Sequence, residues 1–462
     1  MAQPNILFIM TDQQRADAMG CSGGWVKTPA LDRIAAQGLR FETCVTNSPV
    51  CIPARVSLAT GLYPHNTGIW DNCPYDMPPD TTTWMQSLRN AGYRTSLFGK
   101  THLHRHQGDL REREGLMHAY GLDDVDEIGG PRASARVLSN MTERWQQLGL
   151  WDAYREDYRE RFSNKPTVVR PSALPLEEYA DVYVGQQAVR YLDAYDRDEP
   201  WFCWVSFGGP HEPWDTPEPY AGLVDPDAVP APVPLPEEGA DRPRGMLDAR
   251  LRQRPTCSEQ EFREMRANYA GNVMLIDEQI GALLATIEKR GELGNTIIAF
   301  TSDHGEMNGD YGLVYKNNFL NGAVRIPLLI RTPETASSER AGAVCREPVE
   351  LFDVGPTLVE LAGGTPHERQ FARSLCPVLR DPETTHRPFA VSELDGEIMI
   401  RDRRWKMALN AAAEPYLLFD LDTDPDEQQN LVTDSATARV QTELRLNILD
   451  HLVRTQIQKN RA

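Results

Sequence analysis

Short, nearly continuous apolar runs punctuate this chain, separated by longer amphipathic stretches. The runs at 5–10, 201–207 and 296–301 have the pattern of strands buried on both faces of a sheet, and 93–98 reads as a further strand. Helical spacing of apolar residues predicts helices near 28–38, 80–91, 176–197 and 258–290. Pro29 sits in the first turn of the first helix and Gly38 closes it, while Ser258 and Glu261 form a capping box and Gly291 ends the last. Shorter elements are expected as strands at 41–46 and 324–331, a helix starting at Pro53 and another over 350–362. Strands alternating with helices predict an α/β fold around a large, mostly parallel sheet flanked by helices. Residues 110–171 are polar and read as irregular; 210–243 are Pro-rich and acidic, which suits a binding loop and a solvated surface loop equally.

Past residue 385 the pattern changes. Runs at 389–393, 398–401, 405–409 and 416–420, separated by turn residues, predict a small antiparallel sheet, and a helix near 436–457 closes the chain. The expected division is a catalytic domain over 1–384 and a small α+β subdomain over 385–462. A length of 462 residues agrees with more than one small core. The net charge of -19, from 48 basic and 67 acidic residues, disfavours nucleic acid and anionic membrane surfaces as partners. An anionic substrate would need a locally positive pocket. The N-terminus has neither a basic leader nor an apolar run long enough for a membrane span. Eight cysteines without a Cys-x-x-Cys pair suggest reduced thiols and a cytoplasmic protein.

Candidate chemistry sits at the strand ends. Asp12, His211 and the pair Asp303-His304 each follow a predicted strand. In an open α/β sheet that edge is where ligands bind. A lone Asp there is ordinarily a cap or turn residue, but three polar clusters at one edge make a site. Asp12, Asp303, the Gln13 amide and the His304 imidazole can together hold one divalent cation; oxygen ligands suit calcium, and the imidazole shifts preference toward manganese. Lys100 and His102 follow the strand at 93–98 and offer a fixed cation and an imidazole for an oxyanion, while His104 and His106 read as loop or rim residues. Cys51, between Pro49 and Pro53 at a helix start, is either a small buried hydrophobe or a thiol activated by the helix N-terminus.

The run Cys51-Ile52-Pro53-Ala54-Arg55 resembles the Cys-x-Pro-x-Arg signal of the type I sulfatases, within the alkaline phosphatase superfamily. Gly92-Tyr93-Arg94-Thr95 leading to Gly99-Lys100-Thr101-His102 is similar to the second signature of that family, and Leu418-Phe419-Asp420-Leu421 to its C-terminal strand. The resemblance implies an alkaline-phosphatase-like fold and hydrolysis of small anionic esters. Cys51 would be oxidised to 3-oxoalanine (formylglycine) by a formylglycine-generating enzyme, and the aldehyde hydrate would attack sulfur beside one Ca2+ or Mn2+. Arg55 would hold that nucleophile and Lys100 the sulfuryl oxygens. His211 and Lys316 would neutralise the leaving oxygen, and His102 would accept a proton. Asp12-Gln13 and Asp303-His304 resemble the choline-sulfatase and phosphonate monoester hydrolase branches, which also place an asparagine like Asn72 near the substrate. Phosphonate hydrolases resemble Gly-Tyr-Thr-x where this chain has Gly99-Lys100-Thr101-His102, so sulfate esters are the expected substrate. Phosphonate monoesters and phosphodiesters are the alternative, and a catalytically silent anion-binding protein is a third reading. The organic part of the ester is unassigned, with Trp70, Tyr75, Trp214 and Tyr220 as candidate pocket aromatics. The C-terminal helix could serve a homo-oligomer.

Overall fold

The computed structural model describes residues 3–236 and 243–457; positions 237–242 of the Pro-rich loop and both chain ends lie outside the described residues. The strands in chain order are β1 (Asn5–Thr11), β2 (Leu39–Phe41), β3 (Cys44–Val45), β4 (Arg94–Gly99), β5 (Asp124–Glu127), β6 (Trp201–Ser206) and β7 (Thr296–Ser302). They continue as β8 (Arg325–Ile326), β9 (Leu328–Arg331), β10 (Ala343–Cys345), β11 (Val349–Glu350), β12 (Ala390–Leu394), β13 (Glu397–Arg401), β14 (Trp405–Leu409) and β15 (Pro415–Asp420). The main sheet is eight-stranded in the order β10-β2-β9-β7-β1-β6-β4-β5. From β7 to β5 all neighbours are parallel, and β9 runs antiparallel to β7 and β2.

The central strand shows why its sequence is apolar throughout. Ile6, Phe8 and Met10 pack on one face into a core with Leu58, Trp84, Leu88 and Leu358, which belong to the helices Cys51–Thr60, Trp84–Asn90 and Val354–Leu361. Leu7 and Ile9 pack on the other face with Ile34, Val184, Ile276 and Leu283, from the helices Pro29–Gln37, Ala180–Ala194 and Glu259–Lys289. Burying each such side chain contributes on the order of 2 kcal/mol. A strand that faces two helical layers has no position for a polar residue until it leaves the sheet.

The strands β12 to β15 form a separate antiparallel sheet in sequential order. One face, including Ala390, Met399 and Phe419, packs against Val45 and Val324 of the main body; the other, including Val391, Ile400 and Leu418, packs against Leu444 and Ile448 of the helix Ala438–Arg454. A third, three-stranded sheet joins β11, β3 and β8.

Several local expectations change. The expected strand at 41–46 is two strands, β2 and β3, in different sheets, and 324–331 likewise divides at Pro327 into β8 and β9. The helix expected from Pro53 begins at Cys51, with Pro53 in its first turn, where no N–H is needed. The helix expected over 80–91 begins at Trp84, where Thr83 caps it by accepting from Gln86 N–H. The stretch 110–171 is not irregular: it holds the helices Asn140–Gln147 and Trp151–Ser163 and the edge strand β5. The sequence of β5, Asp-Val-Asp-Glu, lacks an apolar run because an edge strand has only one neighbour to pair with.

Candidate active site

Parallel register assembles the site. Thr11 pairs with Ser302, so the residues that directly follow them, Asp12 and Asp303, leave neighbouring strands side by side at the C-terminal edge. Gly99 pairs with Ser206, and Lys100 and His211 follow on that same edge. Gly99 has a φ of +114°, and a Cβ there would lie 1.8 Å from Ser206 O, so only glycine lets β4 turn so closely past β6. Gln13 (φ 71°) and His102 (φ 60°) are also left-handed, and both lie where the chain has just left the sheet.

Cys51 opens its helix at this edge, and Asn72 Oδ1 accepts, at 2.9 Å, the Ile52 N–H of the first turn, which has no acceptor within the helix. The Cys51 Sγ lies 3.0 Å from His304 Nε2 and 3.9 Å from Asp12 Oδ1. Asp12, Cys51, Asp303 and His304 place one ligand atom each within 4.8 Å of one another, and all four are buried. The His304 Nδ1–H donates to Gly305 O at 3.0 Å, so in the neutral ring Nε2 turns its lone pair toward the carboxylates and sulfur. Two carboxylates, an imidazole lone pair and a thiol-derived group are a donor set that fits a divalent cation. Gln13 sends its backbone N–H to Asp303 Oδ1 at 3.0 Å, while its amide meets Lys316, Glu306 and Glu212.

Opposite charges neutralise this floor. Arg55, fully buried, donates from Nε to Asp303 at 2.8 Å and from Nη2 to Asp12 at 3.0 Å. Lys100 Nζ meets Asp12 Oδ2 at 2.6 Å. Burial and Cys51 both work to raise the Asp12 carboxyl, but Lys100, His211 and Arg55 outweigh them and hold it well below the usual range. Burial alone would push the Cys51 thiol up; Lys316, Lys100 and His304 overcome that and hold it well below an ordinary thiol. Cys203, equally buried in β6 without such neighbours, is pushed up to about 12. His102 is held well below the usual imidazole range by burial and Lys100, and its buried Nδ1 has no hydrogen-bond partner among the described residues.

The structure thus brings Asp12, Asp303, His304, Cys51, Arg55, Lys100 and His102 together. His211, Lys316 and Asn72 line the same cavity of about 1020 Å³. Trp70, Tyr75, Trp214 and Tyr220 are not among its lining residues; Tyr315 is the aromatic that lines it. Two carboxylates were not foreseen. Glu212, next to His211, is held down to about 2: burial opposes this, and His211, Arg132 and Lys316 outweigh it. Adjacency to His211 was the available signal. Glu127 ends β5 and accepts from His104 Nε2 at 2.6 Å and His106 Nε2 at 3.3 Å; both histidines are loop residues lining the cavity, as expected, and His104 is in addition a buried ion-pair member. Its stretch carried no strand pattern and hence no signal.

A family model described as Sulfatase matches residues 4–364. The chain belongs to the sulfatase family. A second model, the C-terminal part of N-sulphoglucosamine sulphohydrolase, matches 309–454 of this sulfatase. A choline-sulfatase of Rhizobium meliloti is 29% identical over 452 residues, covering 93% of this chain and 82% of the relative. The multifunctional alkaline phosphatase superfamily protein PehA of Trinickia caryophylli is also 29% identical, with 95% and 93% covered. Among solved structures, a phosphonate monoester hydrolase from Silicibacter pomeroyi superposes with a TM-score of 0.80 at 25% identity, covering 98% of this chain and 96% of the other. Family and cluster together make this a sulfatase-type hydrolase, with Cys51 as the candidate formylglycine precursor.

Proposed function

We propose that this sulfatase cleaves sulfate monoesters to an alcohol and inorganic sulfate, with Cys51 converted to 3-oxoalanine and one divalent cation, Ca2+ or Mn2+, held by Asp12, Gln13, the modified Cys51, Asp303 and His304. The observation that carries the reading is the position of the Cys51 sulfur, at a helix N-terminus, beside His304 and Asp12 and under the charge of Lys100 and Lys316. An aldehyde hydrate there supplies a hydroxyl to attack sulfur and a second one to release it, and the cation's charge favours ionisation of the attacker. The chain's own residues do the rest. Arg55 fixes the two carboxylates from behind. Lys100 binds sulfuryl oxygens. Lys316 and His211, whose Nδ1–H is spent on Glu212 O at 2.6 Å, face the leaving oxygen. His102, kept neutral, accepts a proton.

Phosphonate monoester or phosphodiester hydrolysis is the second reading, favoured by the TM-score of 0.80 to a phosphonate monoester hydrolase. Turnover of 4-nitrophenyl sulfate against 4-nitrophenyl phenylphosphonate decides between them, and a clear phosphonate preference would defeat the first. The mass of tryptic peptide 41–55 tests the modification: active protein should show sulfur and two hydrogens replaced by one oxygen, and an unmodified thiol would overturn it. Eight unpaired cysteines support a reducing, cytoplasmic setting and maturation there by a formylglycine-generating enzyme. The division at 384/385 is supported by the start of the β12–β15 sheet. Leu446, Leu449 and Val453 form an exposed stripe at helical spacing that supports a homo-oligomer, to be measured by light scattering.

A further inference from the structure

The walls of the catalytic cavity carry more positive charge than cleaving one sulfate requires. Eight Lys or Arg side chains line it against a single carboxylate, Glu212, in a chain whose net charge is -19. Lys100 and Lys316 belong to the reacting group. Arg105 is balanced by Asp76 at 2.8 Å, and Arg132 by Glu212. That leaves Arg136, Lys165, Arg250 and Arg254, none of which has a salt bridge among the described residues. Elsewhere on the surface Arg144, Arg170 and Arg404 are each paired with a carboxylate.

A second, independent observation concerns hydrogen bonding. Arg132 Nε, Arg250 Nε and the Tyr315 hydroxyl are buried atoms with no hydrogen-bond partner among the described residues. All three belong to residues lining this cavity. Buried donors are ordinarily satisfied, and each one left without an acceptor costs about 1–3 kcal/mol. Lys165 is held by aromatic faces instead of a carboxylate: its Nζ sits 4.2 Å from the Phe162 ring centre and 5.5 Å from that of Tyr315. Burial first, then Arg132 and Arg250, push its ammonium below the ordinary range, so these cations act on one another within one region.

We infer that the organic part of the substrate carries its own anionic oxygen group, a carboxylate or a second sulfate, which the wall formed by Arg132, Arg136, Lys165, Arg250 and Tyr315 binds while the scissile sulfate sits at Cys51. The inference rests on the hydrolase reading above and deepens it. An incoming anion would pair with the cations that line the cavity and relieve the repulsion among them. A quaternary ammonium such as choline would meet the opposite: several unneutralised cations and one lining aromatic. Resemblance to a choline-sulfatase therefore does not extend to the tail.

The test compares three aryl sulfates of matched leaving-group acidity, with a neutral, a carboxylate and a second sulfate substituent, alongside choline sulfate. Both dianionic esters should show a KM about tenfold or more below that of the neutral ester. Whichever of the two has the lower KM identifies the tail group. In the double variant Arg136→Gln/Lys165→Gln that advantage should shrink about tenfold, while Lys289→Gln, which removes a cation far from the cavity, should leave it intact. Equal KM values across the series, or a preference for choline sulfate, would overturn the inference. Failure to turn over any sulfate ester would defeat the hydrolase reading instead. The tail preference is then read from calorimetric binding of the same esters, where equal affinities would overturn it.

Discussion

The floor and the wall of one cavity treat charge in opposite ways. On the floor, Arg55 and Lys100 lock onto Asp12 and Asp303 with no solvent exposure for the arginine. On the wall, Arg136, Lys165, Arg250 and Arg254 have no carboxylate partner among the described residues. Burial explains the contrast. A charge removed from water costs several kcal/mol unless an opposite charge meets it, so the floor had to be paired to exist at all. On the wall, Arg136, Lys165 and Arg254 are exposed, so folding does not require a carboxylate beside them.

Replacing Cys51 by Ala should have the largest effect on the floor's chemistry. Turnover should fall by about a thousandfold or more, since the nucleophile's atom is gone, while thermal unfolding moves by only a few degrees. Residual activity near wild type would remove Cys51 from the mechanism. Arg55→Ala tests the pairing itself. It takes the cation from Asp303 and leaves Asp12 with Lys100 alone, and should cost about 3–5 kcal/mol in urea unfolding, whereas Arg136→Gln on the wall should cost within about 0.5 kcal/mol. Similar costs at both sites would erase the distinction.

A smaller effect is expected from Lys316→Ala. Esters with basic leaving groups should slow by about 10–100-fold and those with acidic ones much less, steepening the dependence of kcat on leaving-group pKa. An unchanged slope would place Lys316 elsewhere in the reaction. The last prediction concerns Asp181, which accepts N–H from Gly208 and Gly209 at 2.8 and 3.0 Å just before His211. It is a buried carboxylate without a cation, and burial raises its pKa to about 6. The native state then holds this proton more tightly than the unfolded chain does. The stability it contributes is full below about pH 4 and is lost as pH rises toward 6. Asp181→Asn should gain about 2 kcal/mol on wild type across that window, read from urea unfolding at each pH. A constant difference would mean that Asp181 is ionised throughout.

The elements that build the site were readable where each strand ends. The apolar runs of β1, β6 and β7 stop at polar residues because a strand sandwiched between helices can expose a side chain only beyond the sheet. Cys51-Ile52-Pro53-Ala54-Arg55 and Gly99-Lys100-Thr101-His102 were equally plain, because both motifs are local. The strand β5 was not legible, since half its surroundings are solvent and its residues alternate Asp with Val and Glu. Glu127 was missed with it, and so was the pairing that buries His104.

Periodicity and short motifs carried the α/β architecture, the antiparallel appendage and the set of reactive side chains, because helix and strand periods are written over a few consecutive residues. What they did not carry is which charges meet. Arg55 lies 43 residues from Asp12 and 248 from Asp303. Arg132 meets Glu212 across 80. Ion pairing and burial depend on distance in space, so only the folded chain could separate the paired floor from a wall on which Arg136, Lys165, Arg250 and Arg254 have no salt bridge among the described residues.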